Sequence, residues 1–174
     1  MTVDGTSTRN DPHASSHALP DAVDVLVVGY GPVGAALACL LGGYGVRTLV
    51  IDKSADIFMA PRAIALDNEA LRILQMVGLE DDAFQKIPIP HVRMRCPHVG
   101  EFARVNTSGT LDGHPKLVTF YQPELERALR DRAERHASVT ARSGVEMMEL
   151  RDDGDSVQVT LRSTDSDAPR IVRA

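Results

Sequence analysis

The sequence predicts an α/β fold, and one stretch carries the observations behind that prediction. The apolar run Val25–Val28 leads into a glycine-rich turn and a helical segment of about residues 32–41, which glycines at 42 and 43 should end. A second apolar run, Val46–Ile51, stops at Asp52. Apolar runs of this length are typical of parallel strands covered on both faces. Strand, helix and strand in this order form a βαβ unit, so we expect a Rossmann-like sheet.

The turn has the G-x-G-x-x-G spacing of a dinucleotide-binding site. Gly29 would allow the tight turn, Gly31 would let the backbone approach a pyrophosphate, and Gly34 would let the helix pack closely on the strand. Pro32 and Val33 begin the helix, whose N-terminus offers free N–H groups and the positive end of its dipole to an anion. We therefore predict that these five residues bind a pyrophosphate.

Asp52 completes the pattern at the end of the second strand. It lies 23 positions after Gly29, close to the spacing of a carboxylate that accepts ribose hydroxyls. An acid here disfavours a 2′-phosphate, and the adjacent Lys53 is included in the predicted site. A glycine-rich turn alone can also be a plain structural connection. The complete strand–helix–strand–acid pattern favours dinucleotide binding.

The composition limits the classes of partner. The chain of 174 residues is long enough for about one domain, and its hydrophobic content of 43% is ordinary for a globular protein. The net charge of −5 argues against nucleic acid or an anionic membrane as the main partner. The apolar stretches are too short to span a bilayer. We predict neither nucleic acid nor membrane as a partner.

Residues 1–21 are polar and lack the apolar region of a signal peptide, so we expect a disordered leader and a cytoplasmic protein. Cys39 and Cys96 have no metal-ligand spacing, and Cys39 should be a buried small hydrophobe. The histidines at 91, 98 and 114 do not have such a spacing either. We predict no metal site.

Residues 53–66 are predicted to form a loop that contains Arg62. This arginine is either a solvated charge or a cationic contact beside a nucleotide, and its position alone does not decide between the two. Asp67 should N-cap a helix that ends at Gly78. Residues 79–88 should form a second, short helix.

A β-rich insertion of about residues 88–121 follows. Its predicted strands are Val92–Cys96, Glu101–Asn106 and Lys116–Tyr121. A nicotinamide-dependent dehydrogenase would continue with further α/β repeats, so the insertion counts against an NAD-dependent dehydrogenase domain. That reading is kept as an alternative.

The strongest helix pattern is Gln122–Ala137, where Pro123 suits the first turn. Its apolar stripe is expected to be buried and consists of Leu125, Ala128, Leu129 and Ala133. Glu126, Arg130 and Glu134 are expected to form a solvated outer face. Further strands are predicted at Val139–Ala141, Val145–Leu150, Ser156–Arg162 and from Arg170 onward.

Three segments are informative together: VVGYGPVGAALACLLGGYGVRTLVIDK, PRAIALDNEALRILQMVGL and FYQPELERAL. They resemble the FAD-dependent aromatic-ring hydroxylases, which are class A flavoprotein monooxygenases, and most of all the 3-(3-hydroxyphenyl)propionate hydroxylase type. The resemblance covers about residues 23–162. It implies part of a Rossmann-like FAD-binding domain, with the β-rich insertion belonging to the substrate side.

The resemblance also implies roles for single residues. Gly29, Gly31 and Gly34 would hold the FAD pyrophosphate, and Asp52 would hold the adenosine ribose. Arg62 would lie beside the FAD. Gln122, at the start of the long helix, would contact the ribityl or phosphate portion, although it can also be read as a simple helix-starting residue.

By the same resemblance, NADH or NADPH would reduce FAD, and a flavin C4a-hydroperoxide formed with O₂ would hydroxylate a small phenolic or aromatic substrate. A homo-oligomer is compatible with this reading, and no catalytic residue is assigned. Members of the family run to several hundred residues, and their later Asp-Gly and Gly-Asp motifs are not in this sequence. We therefore expect an N-terminal portion, with a non-catalytic nucleotide-binding remnant as a further alternative.

Overall fold

The computed structural model describes residues 19–164 and 166–174. Three helices and thirteen strands occur in this part of the chain. Their order is β1 (Val25–Val28), α1 (Pro32–Gly43), β2 (Thr48–Asp52), β3 (Ala65–Asp67), α2 (Asn68–Met76), β4 (Lys86–Pro88), β5 (His91–Cys96), β6 (Gly100–Asn106), β7 (Thr110–Leu111), β8 (His114–Pro115), β9 (Leu117–Phe120), α3 (Gln122–Glu134), β10 (Val139–Ser143), β11 (Val145–Asp152), β12 (Val157–Ser163) and β13 (Ser166–Arg173).

The middle layer is a parallel sheet with the strand order β1-β2-β10. The strand β2 lies at its centre, and residues 48–51 are all buried. Val50 packs into the core on one face, whereas Leu49 and Ile51 belong to the core on the other. This alternation follows from the two-residue period of a strand. The predicted parallel βαβ unit is confirmed.

Helices cover one face of this sheet. Ala35 and Ala38 of α1 are fully buried in the same core as Leu125 and Leu129 of α3. The small alanines allow the two helices to approach closely. Cys39 of α1 is 2% exposed, and burial raises the pKa of its thiol to about 11, which confirms that it behaves as a core residue.

The end of α1 differs from the prediction. The helix continues through Gly42 and ends at Gly43, with Tyr44 as its C-cap. Gly42 has a packing role, because the ring of His136 occupies the space that a Cβ at this position would need. The left-handed residue that follows the helix is Gly45, with a φ of 72°.

The other face of the parallel sheet is covered by an antiparallel sheet with the order β11-β12-β13. Val159, Leu161 and Val172 contribute to the core there. The predicted leader, residues 1–21, lies outside the described residues except for its last three. Of these, Leu19 packs against this second core, and the carbonyl of residue 21 accepts a hydrogen bond from the N–H of Arg173.

The β-rich region between α1–β2 and α3 contains a sheet of order β3-β9-β4 and the hairpins β5–β6 and β7–β8. The expected short helix at residues 79–88 is wrong, because Lys86–Pro88 is a strand paired with β9. Two X-Pro pairs, Ile87-Pro88 and Ile89-Pro90, explain the error, since the residue before a proline avoids helical geometry. The predicted loop at 53–66 also ends earlier, at β3.

Candidate functional site

The glycine turn, residues 29–34, connects β1 to α1. Gly29 has a φ of 103°, a conformation that a residue with a Cβ rarely adopts. A Cβ at Gly34 would overlap the carbonyl oxygen of Gly29, so a hydrogen at this position is what lets the helix lie against the turn. A Cβ at Gly31, in contrast, would meet no heavy atom within 4 Å. Gly31 is therefore the open side of the turn.

Asp52 is joined to this turn directly. Its Oδ2 accepts a hydrogen bond from the N–H of Tyr30 at 2.8 Å, and its Oδ1 accepts one from the N–H of Ser54 at 2.8 Å. Partial burial would raise the pKa of Asp52, but the hydrogen bonds from Ser54 and Tyr30 outweigh it and hold the pKa below its usual value. The carboxylate is thus ionised at neutral pH. It keeps acceptor positions for a further donor, because a carboxylate offers about four.

The turn and Asp52 fit the adenosine and pyrophosphate part of a dinucleotide. The N-terminus of α1 has no side-chain cap and no acidic residue in its first turn, and Pro32 stands at its first positions. Val33 is 85% exposed, so the start of the helix is open to an approaching anion. Lys53 follows Asp52 and is exposed. A pyrophosphate at the turn and ribose hydroxyls at Asp52 would meet complementary groups.

Arg62 lies in the Arg62 loop, residues 58–64, which precedes β3. The side-chain oxygen Oε1 of Gln122 accepts hydrogen bonds from the N–H groups of Arg62 and Ala63, at 3.0 and 2.9 Å. Gln122 is only 5% exposed, whereas Arg62 is exposed and its guanidinium lies 5.6 Å from the ring centroid of Phe58. The structure therefore brings these two predicted site residues together through the backbone of the loop.

Two further residues of the β9–α3 region hold the Arg62 loop, and sequence reasoning missed both. Thr119 donates its hydroxyl to the carbonyl of Ile64 at 2.8 Å, and Tyr121 donates its hydroxyl to the carbonyl of Met59 at 3.2 Å. No local pattern announces them. Among the described residues, no hydrogen bond or ion pair joins Arg62 to the glycine turn, so the two groups of predicted residues are held separately.

The outer face predicted for α3 is partly wrong. Glu126 is 4% exposed, and the side chain of Arg130 is 11% exposed, whereas Glu134 is exposed as expected. Arg130 Nη2 lies 2.7 Å from Glu126 Oε1, and the guanidinium lies 4.6 Å from the ring centroid of Tyr30. These charges are buried because α3 packs its charged side against Tyr30 of the glycine turn. The i,i+4 spacing of an acid and a base was the available signal.

Two findings concern other classes of site. Within residues 19–164 and 166–174, no helix is both long and apolar enough to cross a bilayer. The same residues include no group of three or more His, Cys, Asp or Glu side chains that could hold a metal ion.

Comparison with known proteins identifies relatives of the chain. The chain is 38% identical over 159 residues to a 3-(3-hydroxy-phenyl)propionate/3-hydroxycinnamic acid hydroxylase of Burkholderia cenocepacia (strain HI2424), covering 86% of this chain and 29% of the relative. A protein of the same name from Mycolicibacterium smegmatis (strain ATCC 700084 / mc(2)155) is 35% identical over 150 residues, with coverage of 86% and 27%. The chain thus spans less than a third of the length of these relatives.

Solved structures share the fold. The p-nitrophenol 4-monooxygenase PnpA from Pseudomonas putida DLL-E4 superposes with a TM-score of 0.77 at 23% identity, over 89% of this chain and 40% of that one. The flavin-dependent monooxygenase PieE, solved in complex with FAD and substrate, superposes with a TM-score of 0.75 at 26% identity, over 90% and 30%. The family profile described as "FAD binding domain" matches residues 22–174, and the chain belongs to that family.

Proposed function

We propose that this chain is the FAD-binding part of an NAD(P)H-dependent flavin monooxygenase that hydroxylates a phenolic or other aromatic compound. The observation that carries the proposal is the pairing of an open backbone at Gly31 with an ionised Asp52 that is hydrogen-bonded to the same turn. The names of the relatives and of the structural neighbours support the aromatic substrate class.

Each residue has a stated task in this proposal. The N–H groups at the start of α1 bind the pyrophosphate of FAD, and Gly31, Pro32 and Val33 leave room for it. Asp52 accepts hydroxyls of the adenosine ribose, with Lys53 exposed beside it. Bound FAD supplies the transfer of reducing equivalents from NADH or NADPH to O₂ and delivery of one oxygen atom to the ring.

Arg62 and Gln122 are proposed to serve the remainder of the cofactor. Gln122 uses its carbonyl oxygen to fix the backbone at Arg62 and Ala63, which leaves its amide N–H groups to donate to the ribityl or phosphate portion. The exposed guanidinium of Arg62 then provides a cation near the phosphates. Free Cys39 and Cys96 fit a reducing cytoplasm, which is part of the proposal, as are O₂ and a small aromatic substrate as partners.

An FAD titration of the purified chain tests the proposal, with flavin fluorescence and the visible spectrum as readouts. A Gly31→Val variant is the matched comparison, because its new side chain meets no protein atom within 4 Å of the Cβ yet would occupy the approach of the pyrophosphate. We expect saturable binding by the wild-type chain and none by the variant, with equal melting temperatures. Equal FAD affinity in both chains would refute the site.

A non-catalytic nucleotide-binding remnant is the second candidate, because the chain spans 29% of the Burkholderia relative. The two candidates differ in what FAD binding leads to. FAD reduction by NADH in the presence of a phenolic compound would favour the monooxygenase. Binding of FAD without such reduction would favour the remnant, and binding of NADH in place of FAD would favour the dehydrogenase alternative.

A further inference from the structure

We propose that Arg130 is a positioning residue of the dinucleotide site: held between Glu126 and the ring of Tyr30, it fixes the glycine turn in the shape that accepts a pyrophosphate. This inference rests on the proposed function, since it concerns the same turn. It adds a residue of α3 that lies about a hundred positions away in the sequence and that no glycine-turn pattern includes.

The contacts of Tyr30 carry the proposal. Tyr30 stands between Gly29 and Gly31 and is 1% exposed. Its ring faces the Arg130 guanidinium at 4.6 Å, and its hydroxyl donates to the carbonyl of Arg130 at 3.3 Å. Its N–H donates to Asp52 at 2.8 Å. Because both neighbours are glycines without side chains, the Tyr30 ring is what anchors this part of the turn to the rest of the protein.

The charged pair behind the ring is not explained by stability alone. Glu126 and Arg130 pair at 2.7 Å, with their side chains 6% and 11% exposed. A buried ion pair is often no better than an apolar pair of the same volume, because both charges lose their hydration. Here the arrangement is also incomplete, since the buried Nε of Arg130 has no hydrogen-bond partner. A role in holding Tyr30 accounts for a pair that costs hydration.

The geometry also explains why arginine suits the position. A planar guanidinium can stack on the aromatic ring while one edge binds the carboxylate of Glu126. A lysine could bind Glu126 but would not stack in the same way. The positive charge of Arg130 also contributes to the lowered pKa of Asp52, which places the guanidinium within electrostatic reach of both ends of the turn's hydrogen bond.

The test compares ADP with adenosine, because only ADP needs the turn for its phosphates. A double variant, Glu126→Gln with Arg130→Met, removes both charges and leaves neither unpaired. We expect its affinity for ADP to fall about tenfold, the smaller effect seen when a supporting partner is removed behind a binding group, while adenosine changes less than about twofold. Isothermal titration gives both constants, and thermal melting confirms that the variant is folded.

Arg127→Met is the matched control, since it removes an exposed charge from the same helix, and we expect its ADP affinity to equal that of the wild type. If the double variant fails to fold, Arg130→Lys decides, because it keeps the charge and loses the planar stack. We expect its ratio of ADP to adenosine affinity to fall about threefold, less than on full removal.

An unchanged ratio in the folded double variant, or in Arg130→Lys, would overturn the inference while leaving FAD binding intact. A wild-type chain that bound neither ADP nor FAD would overturn the proposed function and this inference with it. The two failures are therefore distinguishable by the wild-type titration alone.

Discussion

The glycine turn and the Arg62 loop are held in place in different ways. The turn is anchored by a buried ring, a hydrogen bond to Asp52 and the close approach of Gly34 to Gly29. The Arg62 loop is largely exposed, and its contacts come from the β9–α3 region about sixty residues later in the chain. The turn depends on steric fit in a packed core, whereas the loop depends on a few hydrogen bonds at the surface.

This difference implies different responses to substitution. Overlap of backbone atoms in a packed core cannot relax, so the turn should tolerate little change. A surface loop can adopt other conformations and exchange lost hydrogen bonds for water, so its changes should be smaller. Substitutions in the two regions can confirm or contradict this contrast.

The largest effect is expected from Gly34→Ala. The added Cβ would overlap the carbonyl oxygen of Gly29, so α1 or the turn must shift, and we expect a loss of about 3 kcal/mol in the free energy of unfolding. Urea denaturation measures it. Gly43→Ala is the control in the same helix, because its Cβ meets nothing within 4 Å, and we expect it to be neutral or slightly stabilising. Equal stability of the two variants would contradict the steric account.

Gln122→Leu should have the next largest effect. The substitution leaves the N–H groups of Arg62 and Ala63 without their acceptor, and we expect a loss of about 1–2 kcal/mol because water can replace part of the interaction. Faster amide hydrogen exchange at residues 62 and 63 should accompany it. Gln122→Glu keeps an acceptor and should retain more of the protection. Unchanged exchange in Gln122→Leu would show that the loop is held by other contacts.

Asp52→Asn should have a pH-dependent effect. The folded pKa of Asp52 lies below the usual value of 3.8, so its hydrogen bonds stabilise the protein fully above that value and are lost as the pH falls through the folded pKa. We expect the stability difference between wild type and Asp52→Asn to be constant from pH 7 to about 5 and to shrink on further acidification. Denaturant titrations at a series of pH values measure it. A difference that grew on acidification would contradict the assigned direction.

Arg62→Ala is expected to have the smallest effect on stability. The side chain is exposed and its contact with Phe58 is the aromatic one at 5.6 Å, so we expect a change within about 0.5 kcal/mol. The FAD affinity of the same variant decides between the two readings of this residue. A several-fold loss would identify a cationic contact to the cofactor, and an unchanged affinity would identify a solvated charge. Arg95→Ala, at another exposed position, is the control.

Much of the fold was predictable because the relevant interactions are local. Asp67 caps α2 as expected, accepting a hydrogen bond from the N–H of Ala70 at 2.9 Å, and Gly78 follows that helix with a φ of 73°. The predicted helix starting at Gln122 is also confirmed, although it ends at Glu134. The error at residues 79–88 came from reading a polar segment as helical, where pairing with β9 imposes a strand.

The candidate site divides along the same line. The sequence alone determined the βαβ unit, the glycine turn and the position of Asp52, because glycine conformation, strand periodicity and helix capping act over a few residues. Tertiary structure decided the burial of Glu126 and Arg130, the stacking of Arg130 on Tyr30, and the attachment of Gln122 to the Arg62 loop. These contacts join segments 60 to 100 residues apart, as Gln122 with Arg62 and Tyr30 with Arg130 show. An acid or base on a helix carries no local mark of which surface will pack against it.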